Sequence, residues 1–206
     1  ACTFPTPVKT TGRSKGRGWS SSSAASAVRI KILVMDLLNY IPVVEDFPKP
    51  GVGFRDVSPL LAHPEAREEA IRQMAALYPS GDYTAVAGIE SRGFLFGMAL
   101  AQQLHKPFVM VRKANKLPPE THRVSYELEY GADHLEIRKA VLGPADRVLL
   151  VDDVLATGGT LLATRDLVAM TGATAVGAVA LLEIGFLKGA QRLAAQGFSC
   201  KAVLVV

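Results

Sequence analysis

Several absences restrict what this chain of 206 residues can be. Its two cysteines, Cys2 and Cys200, are too few for a disulfide framework and suit a reducing compartment. No apolar run approaches the roughly 20 residues of a membrane span, so we expect no membrane partner. The sequence also lacks internal repeats. Its hydrophobic content of 49% and its length suffice for one large core, but not for two large domains.

Acidic residues are missing from the first 35 positions, which carry six Lys or Arg. The net charge of +4 is therefore misleading, because the remaining residues hold 17 basic and 19 acidic side chains. The basic character belongs to the N-terminal extension. A globular part without a basic excess gives little reason to expect a nucleic-acid partner, and we predict none.

The first 34 residues form an extension that we separate from a folded domain at residues 35–206. Up to about residue 27 the extension is low in complexity and includes the serine run at 20–23, a composition that cannot bury a core. A basic, Ser-rich and acid-free segment is also the profile of an organellar transit peptide. We expect a cytoplasmic protein, with organellar targeting by this extension as the alternative.

Apolar runs alternate with helical patterns through the rest of the chain. This alternation predicts an α/β fold, with a mostly parallel sheet covered by helices on both faces. The segment 45–56 is rich in Pro and Gly and predicts a shaped loop or a short extended segment. Predicted helices cover residues 62–79, 94–104, 160–171 and 186–196, and predicted strands cover residues 84–89, 107–112, 147–151, 173–182 and 198–206.

A strict alternation of side chains at residues 125–137 predicts a β-hairpin. Even-numbered residues from Tyr126 to Tyr130 share one face, and odd-numbered residues from Ser125 to Glu129 share the polar face. We place the turn of the hairpin at Gly131-Ala132-Asp133.

Polar clusters follow three of the predicted strands. They are Glu90-Ser91-Arg92-Gly93, Arg112-Lys113 and the pair Asp152-Asp153. Ligands of open parallel sheets bind at the carboxyl ends of the strands, so these clusters predict one binding site. Arg92 can hold the oxygens of an anion through two nitrogens, and Lys113 can meet them as a point charge.

The loop after the aspartate pair consists of Ala156, Thr157, Gly158, Gly159 and Thr160. Small residues between a strand and a helix let backbone N–H groups point into one concavity, which is typical of an anion site. The loop has neither the Walker A ending nor the spacing of a dinucleotide fold. It fits one phosphate monoester, and Asp152 and Asp153 can accept hydrogen bonds from ribose hydroxyls, directly or through a hydrated divalent metal. The alternative is a tight turn beside a solvated acidic pair.

Residues 148–160 resemble the phosphoribosyl-pyrophosphate (PRPP) signature of the type I phosphoribosyltransferase family. From about residue 40 to the C-terminus, further segments resemble its adenine-specific members, in the same order and spacing. These segments are residues 46–59, 88–97, 111–118 and 125–131. The resemblance implies a Rossmann-like twisted sheet, a small N-terminal hood at about residues 40–60 and a flexible lid. It implies transfer of the phosphoribosyl group from PRPP to adenine, giving AMP and pyrophosphate, with Mg²⁺.

The same resemblance assigns roles to individual residues. It makes Glu129 the catalytic carboxylate and Arg92 a second catalytic residue. It gives Tyr130 a role in packing or in anchoring the lid at residues 114–124. Pyrophosphate binding falls to the segment from Glu90 to Arg92 and to Lys113. A non-proline cis peptide is expected at Glu90–Ser91, and relatives often have Asp at the position of Glu90.

Adenine binding falls, by the resemblance, to the hood residues Gly53, Phe54 and Arg55. Relatives often carry a bulky aliphatic residue at the position of Gly53. The resemblance further implies a homodimer and a Mg²⁺ ion held mainly by PRPP, with Asp152 and Asp153 reached through water. Two alternatives remain, namely a transferase for hypoxanthine, guanine or xanthine, and a non-catalytic PRPP-sensing regulator. The regulator would carry a DNA-binding module, and no helix-turn-helix pattern precedes the domain.

Overall fold

A seven-stranded sheet organises the described part of the chain, and five neighbouring strands of it run parallel. The computed structural model describes residues 35–128 and 131–206, so the predicted site residues Glu129 and Tyr130 lie outside the described residues. In spatial order the sheet is β5-β6-β4-β3-β7-β8-β9. The strands are β3 (Ala85–Ile89), β4 (Phe108–Lys113), β5 (Thr121–Leu128), β6 (Gly131–Arg138), β7 (Arg147–Leu155), β8 (Thr174–Glu183) and β9 (Cys200–Val205).

Helices cover both faces of this sheet, as the alternation of apolar runs predicts. All five residues of β3 are buried, because helices cover both faces of this central strand. Val86 of β3 belongs to the core layer under α2 and α3, whereas Ala87 belongs to the layer under α4 and α5. The helices are α1 (Ser58–Ala62), α2 (Pro64–Ala76), α3 (Gly93–Gln103), α4 (Gly159–Ala169) and α5 (Gly189–Ala195). No helix in residues 35–128 and 131–206 is both long and apolar enough to cross a membrane.

The segment predicted as a shaped loop forms a small ribbon. Strand β1 (Val43–Val44) pairs antiparallel with β2 (Phe54–Arg55). Leu37 and Ile41 before the ribbon and Val57 after it are buried in the core layer under α2 and α3. These apolar anchors hold the ribbon, which is the predicted hood, on the folded domain.

The hairpin is present, but the predicted position of its turn is wrong. Gly131 pairs with Leu128 and Asp133 pairs with Tyr126, so residues 131–133 belong to strand β6. The cross-strand pair Val124–Leu135 lies at the core and sets this register, because a slip of one residue would turn the apolar side chains of the slipped strand outward. The same pairing includes Thr121–Val124 in β5. The loop predicted at residues 114–124 is therefore shorter, and we use the name lid for residues 114–120.

Candidate active site

The three polar clusters predicted from the sequence converge at one edge of the sheet. Strand β3 lies between β4 and β7, and all three run parallel, so their carboxyl ends are neighbours. Arg92, just beyond β3, places its Nε 2.7 Å from Oδ2 of Asp153 on β7. Glu90 contacts Arg112 on β4, at 3.1 Å between Oε2 and Nε. The predicted convergence is confirmed.

The turn after β3 contains the cis peptide bond that the family resemblance predicts, at Glu90–Ser91. Ser91 is exposed at this turn, and α3 begins two residues later at Gly93. A Cβ atom at Gly93 would lie 2.7 Å from the carbonyl oxygen of Val151, so only glycine lets α3 start this close to β7. This close approach brings Arg92 to the aspartate pair.

The small-residue loop lies between the end of β7 at Leu155 and the start of α4 at Gly159. Gly158 has a φ of +81°, in the left-handed region that glycine adopts without strain. The loop lines a small concavity together with Asp152 and Leu161. Because the first N–H groups of a helix have no intrahelical partner, those of α4 are available to an anion in this concavity.

Gly189 supports this loop, and the sequence analysis missed it. It is the first residue of α5 and is buried, and a Cβ atom there would overlap the carbonyl oxygen of Ala156. A side chain at position 189 would displace the loop. No sequence motif marks Gly189, because its partner lies 33 positions earlier in the chain.

The aspartate pair lies inside β7, which extends beyond the predicted strand end at residue 151. Burial raises the pKa of Asp152 well above its usual value, and the charge of Asp153 adds to this effect. Burial also raises the pKa of Asp153, although Arg92 opposes the shift. The pair costs folding free energy when both carboxylates are ionised, so it serves something other than stability.

One oxygen of this pair lacks a hydrogen-bond donor. Oδ2 of Asp153 is buried, and among the described residues it has no aligned hydrogen-bond donor. The Nε of Arg92 is near enough for charge attraction at 2.7 Å, but its N–H does not point at the oxygen. A buried acceptor without a donor is rare in folded proteins, and it fits a ligand hydroxyl or a water at this position.

Glu90 binds cations rather than anions. Its carboxylate accepts hydrogen bonds from the backbone N–H of Lys113 at 3.0 Å, from Nζ of Lys116 at 2.7 Å and from the guanidinium of Arg112. Burial raises the pKa of Glu90, but these hydrogen bonds outweigh it and hold the pKa at about 2. A carboxylate that stays charged repels pyrophosphate, so Glu90 fits the role of positioning Arg112 and Lys116 better than the predicted direct contact. The sequence placed Arg112 in a predicted polar cluster without a role of its own, and it did not single out Lys116.

Lys113 has its own acidic partner on the hairpin. Its Nζ lies 3.2 Å from Oδ2 of Asp133 on β6, and this contact raises the pKa of Lys113. The side chain of Lys113 is half exposed, so an incoming anion can reach it. Asp133 therefore holds Lys113 at the same edge of the sheet as the turn after β3.

The hood reaches this edge through Phe54. The Arg92 guanidinium carbon lies 5.2 Å from the centroid of the Phe54 ring, and Phe47 meets the same ring edge-on. Phe54 and Arg55 form β2, directly after Gly53. A Cβ atom at Gly53 would lie 3.3 Å from Val43 of β1, so a larger residue there would pack within the hood. The predicted base-binding segment thus borders the turn that carries Arg92.

Comparisons with known proteins agree with this geometry. The family model "Phosphoribosyl transferase domain" matches residues 56–201. Adenine phosphoribosyltransferase of Polynucleobacter necessarius subsp. necessarius (strain STIR1) is 54% identical over 170 residues, which cover 82% of this chain and 99% of the relative. The enzyme of the same name from Synechococcus sp. (strain JA-3-3Ab) is 52% identical over 160 residues, covering 77% and 91% of the two chains.

Solved structures give the same result. The crystal structure of adenine phosphoribosyltransferase from Thermoanaerobacter pseudethanolicus superposes with a TM-score of 0.79 at 39% identity, over 82% of this chain and 98% of that chain. The Giardia lamblia enzyme complexed with 9-deazaadenine also gives 0.79, at 38% identity over 84% and 97%. With the PRPP signature on β7, the hood against Arg92 and these relatives, the chain belongs to the adenine phosphoribosyltransferase family.

Proposed function

We propose how the described residues divide the work of the family reaction. The protein is an enzyme of purine salvage that transfers the 5-phosphoribosyl group of PRPP to adenine and releases AMP and pyrophosphate. In our proposal the loop from Ala156 to Thr160 holds the 5-phosphate, and Asp152 and Asp153 hold the ribose hydroxyls. The observation that carries the proposal is the contact between Arg92 and Asp153. In this contact the residue predicted to bind pyrophosphate lies beside a residue predicted to bind the ribose.

The pyrophosphate end of the site is cationic in this proposal. Arg92 and Lys113 bind the pyrophosphate oxygens, and Arg112 and Lys116 complete the cluster around Glu90. Substrate oxygens would replace the carboxylate contacts that these cations now make. Charge-assisted hydrogen bonds of this kind are stronger than neutral ones, which suits a group that leaves with its negative charge.

Bond cleavage at C1 of the ribose develops positive charge on the sugar. The bond from C1 to the pyrophosphate oxygen breaks and a bond from C1 to an adenine nitrogen forms, while the purine loses one proton. Holding both reactants in line supplies much of the rate enhancement. Glu129 manages the purine proton or stabilises the cationic sugar, and the lid excludes water that would capture it.

Mg²⁺ is the cofactor in this proposal and arrives mainly with PRPP. The donor set fits this mode, because residues 35–128 and 131–206 contain no group of three His, Cys, Asp or Glu side chains that could hold the ion alone. The buried Oδ2 of Asp153 can accept a hydrogen bond from a metal-bound water. The ion would offset the negative charge of the pyrophosphate.

Adenine selectivity belongs to the hood. The Phe54 ring packs on the base, and backbone groups of Gly53 and Arg55 pair with its edge. A carbonyl acceptor aimed at the amino group of adenine rejects hypoxanthine, which presents an oxygen there. The other two predicted functions lose support, since the relatives reported above are all adenine phosphoribosyltransferases.

We further propose that the protein is a homodimer and acts in the cytoplasm. Leu95 and Met98 lie one turn apart on α3 and are about half exposed, which is typical of an apolar face that a partner covers. For the compartment, the alternative is organellar targeting by residues 1–34. A fusion of these residues to a fluorescent protein decides between the two, because a diffuse cytosolic signal excludes targeting.

The central experiment supplies Mg²⁺ and PRPP with adenine, hypoxanthine, guanine or xanthine and measures the monophosphates. We expect AMP as the main product, and its absence would overturn the proposal. In the same assay Glu129→Gln should lower kcat at least about tenfold with an unchanged circular dichroism spectrum, because general acid–base help is typically worth about 10²–10⁴. Near-normal turnover of this variant would refute the role of Glu129.

A further inference from the structure

The start of the lid and the strand that follows the lid meet at one buried carboxylate. Glu136 lies in the middle of β6 and is only 3% exposed. Its Oε2 accepts a hydrogen bond from the backbone N–H of Asn115 at 3.2 Å, just after β4. Its Oε1 accepts the Nε of Arg123 on β5 at 2.8 Å and also contacts Nη2 of the same guanidinium. Arg123 lies beyond the other end of the lid.

A third contact closes this arrangement into a triangle. Nη2 of Arg123 donates to Oδ1 of Asn115 at 3.0 Å. Each member of the triangle therefore bonds to the other two. A buried carboxylate is costly unless its oxygens are paired, and here both oxygens have donors that belong to the lid or its flank. An amide in place of this carboxylate has one acceptor oxygen for the two sets of donors, so it cannot hold both Arg123 and the N–H of Asn115 as the carboxylate does.

The triangle fixes a turn that matters for the cations of the site. Asn115 has a φ of +64°, a left-handed conformation that only a minority of non-glycine residues adopt. The turn sends the chain back, so that Nζ of Lys116 reaches Glu90 at 2.7 Å and the carbonyl oxygen of Lys116 accepts from Arg112 at 3.0 Å. The position of Lys116 thus depends on the conformation of the residue before it.

Side-chain bonding distinguishes this triangle from the pyrophosphate cluster. Glu136 pairs with Arg112 on one side and with Arg123 on the other. Arg112 nevertheless bonds to Glu90, so each arginine has its own carboxylate. The side chains of the triangle thus bond to one another, and its links to the cations of the site are the sheet pairing at Arg112 and the lid backbone before Lys116.

We infer that Glu136 is a positioning residue of the reaction. By holding Asn115 and Arg123 it fixes the turn that presents Lys116 to the pyrophosphate of PRPP. The inference rests on the proposed pyrophosphate role of Lys116. Glu136 affects PRPP rather than adenine, because the hood that serves the base is bound to another part of the fold.

The test compares the KM values of the two substrates. Glu136→Gln keeps the shape of the side chain and removes its charge, and it should raise the KM for PRPP about tenfold while the KM for adenine stays within twofold. A looser lid also admits water, so the variant should release more ribose 5-phosphate from PRPP per AMP formed. A residue that merely stabilised the fold would lower the amount of active enzyme and leave both KM values unchanged.

Further variants keep the inference testable when Glu136→Gln folds poorly. Arg123→Lys keeps the positive charge but has one nitrogen in place of the Nε and Nη2 that contact Glu136 and Asn115. It cannot reproduce this planar geometry, so it should shift the KM for PRPP in the same direction. Ser125→Ala is the matched control, because it removes the exposed contact to His134 on the same hairpin without touching the lid. It should keep wild-type KM values.

Three outcomes would overturn the inference. One is a KM for PRPP within twofold of wild type in both Glu136→Gln and Arg123→Lys. Another is an equal rise in the KM for adenine, because Glu136 would then affect the whole site and not its PRPP end. The third is a wild-type KM for PRPP in Lys116→Met, because the premise about Lys116 is then wrong. AMP formation by the wild-type enzyme tests the proposed function separately.

Discussion

At the scale of single residues, the ionised carboxylate of Asp152 should lower the free energy of unfolding at neutral pH. Its pKa is raised by burial and by the charge of Asp153. A carboxyl whose pKa is higher in the folded protein stabilises the fold below its unfolded value, near 3.8, and loses that contribution as the pH rises through the folded pKa. Asp152→Asn removes the charge, so it should raise the Tm at neutral pH by at least about 2 °C, the effect of about 1 kcal/mol in a domain of this size.

The same variant should lose function while it gains stability. The amide keeps the acceptor for the N–H of Asp153, but it no longer offers a carboxylate to a ribose hydroxyl. We expect a higher KM for PRPP, together with a stability gain that disappears when the pH falls below 3.8. Asp166→Asn on the exposed side of α4 is the control and should change stability by less than about 0.5 kcal/mol. A destabilised Asp152→Asn at neutral pH would contradict the burial argument.

Glu90 should show the opposite dependence on pH. Its pKa is about 2 against an ordinary value of 4.5, so its contribution to stability is complete above 4.5 and is lost as the pH falls through about 2. Glu90→Gln should therefore be less stable than wild type at pH 6, and the difference should shrink on acidification. Urea unfolding at pH 6, 4 and 3 measures it. Glu68→Gln on the exposed face of α2 is the control, and a gap for Glu90→Gln that stays constant with pH would rule out the ion-pair explanation.

At the scale of elements, α5 should control the phosphate loop. A Cβ atom at Gly189 would overlap the carbonyl oxygen of Ala156 and would lie 2.9 Å from Leu155. Gly189→Ala should therefore displace the loop, raise the KM for PRPP at least about tenfold and cost about 1–3 kcal/mol of stability. Gly143→Ala is the matched control, because nothing lies within 4 Å of its added Cβ. Steady-state kinetics with both variants check this, and equal KM values would contradict it.

The elements that the sequence predicts are those that local pattern determines. The apolar run of β3 and the small-residue loop before α4 are visible without any tertiary information. The turn of the hairpin was misplaced because its register depends on Val124 packing opposite Leu135, which only the core decides. Glu136 and Gly189 were missed for a related reason. Their partners lie 21 and 33 positions away, and no periodicity connects such pairs.

At the scale of the whole molecule, strand order creates the site. Apolar runs predict strands but not their neighbours, so the sequence placed three polar clusters at strand ends without fixing their distances. The central position of β3, between β4 and β7, brings Arg92 and Glu90 within reach of both neighbouring strands. The hairpin continues the sheet at β4, and it thereby brings Asp133 to Lys113 and Glu136 to the lid. Topology thus brings separate sequence motifs together at one edge of the sheet.

The assembly of two chains is the last prediction, and we expect α3 to form the interface between them. Met98 is 50% exposed beside Leu95, and burial of this apolar face should hold two chains together. Light scattering should give the wild type twice the 22.0 kDa of one chain, and Met98→Glu should give a single chain because a charge would be buried in the interface. Met170→Glu is the matched control, since Met170 is 49% exposed at the end of a different helix, and it should remain a dimer. A monomeric wild type would exclude the dimer, and a dimeric Met98→Glu would move the interface away from α3.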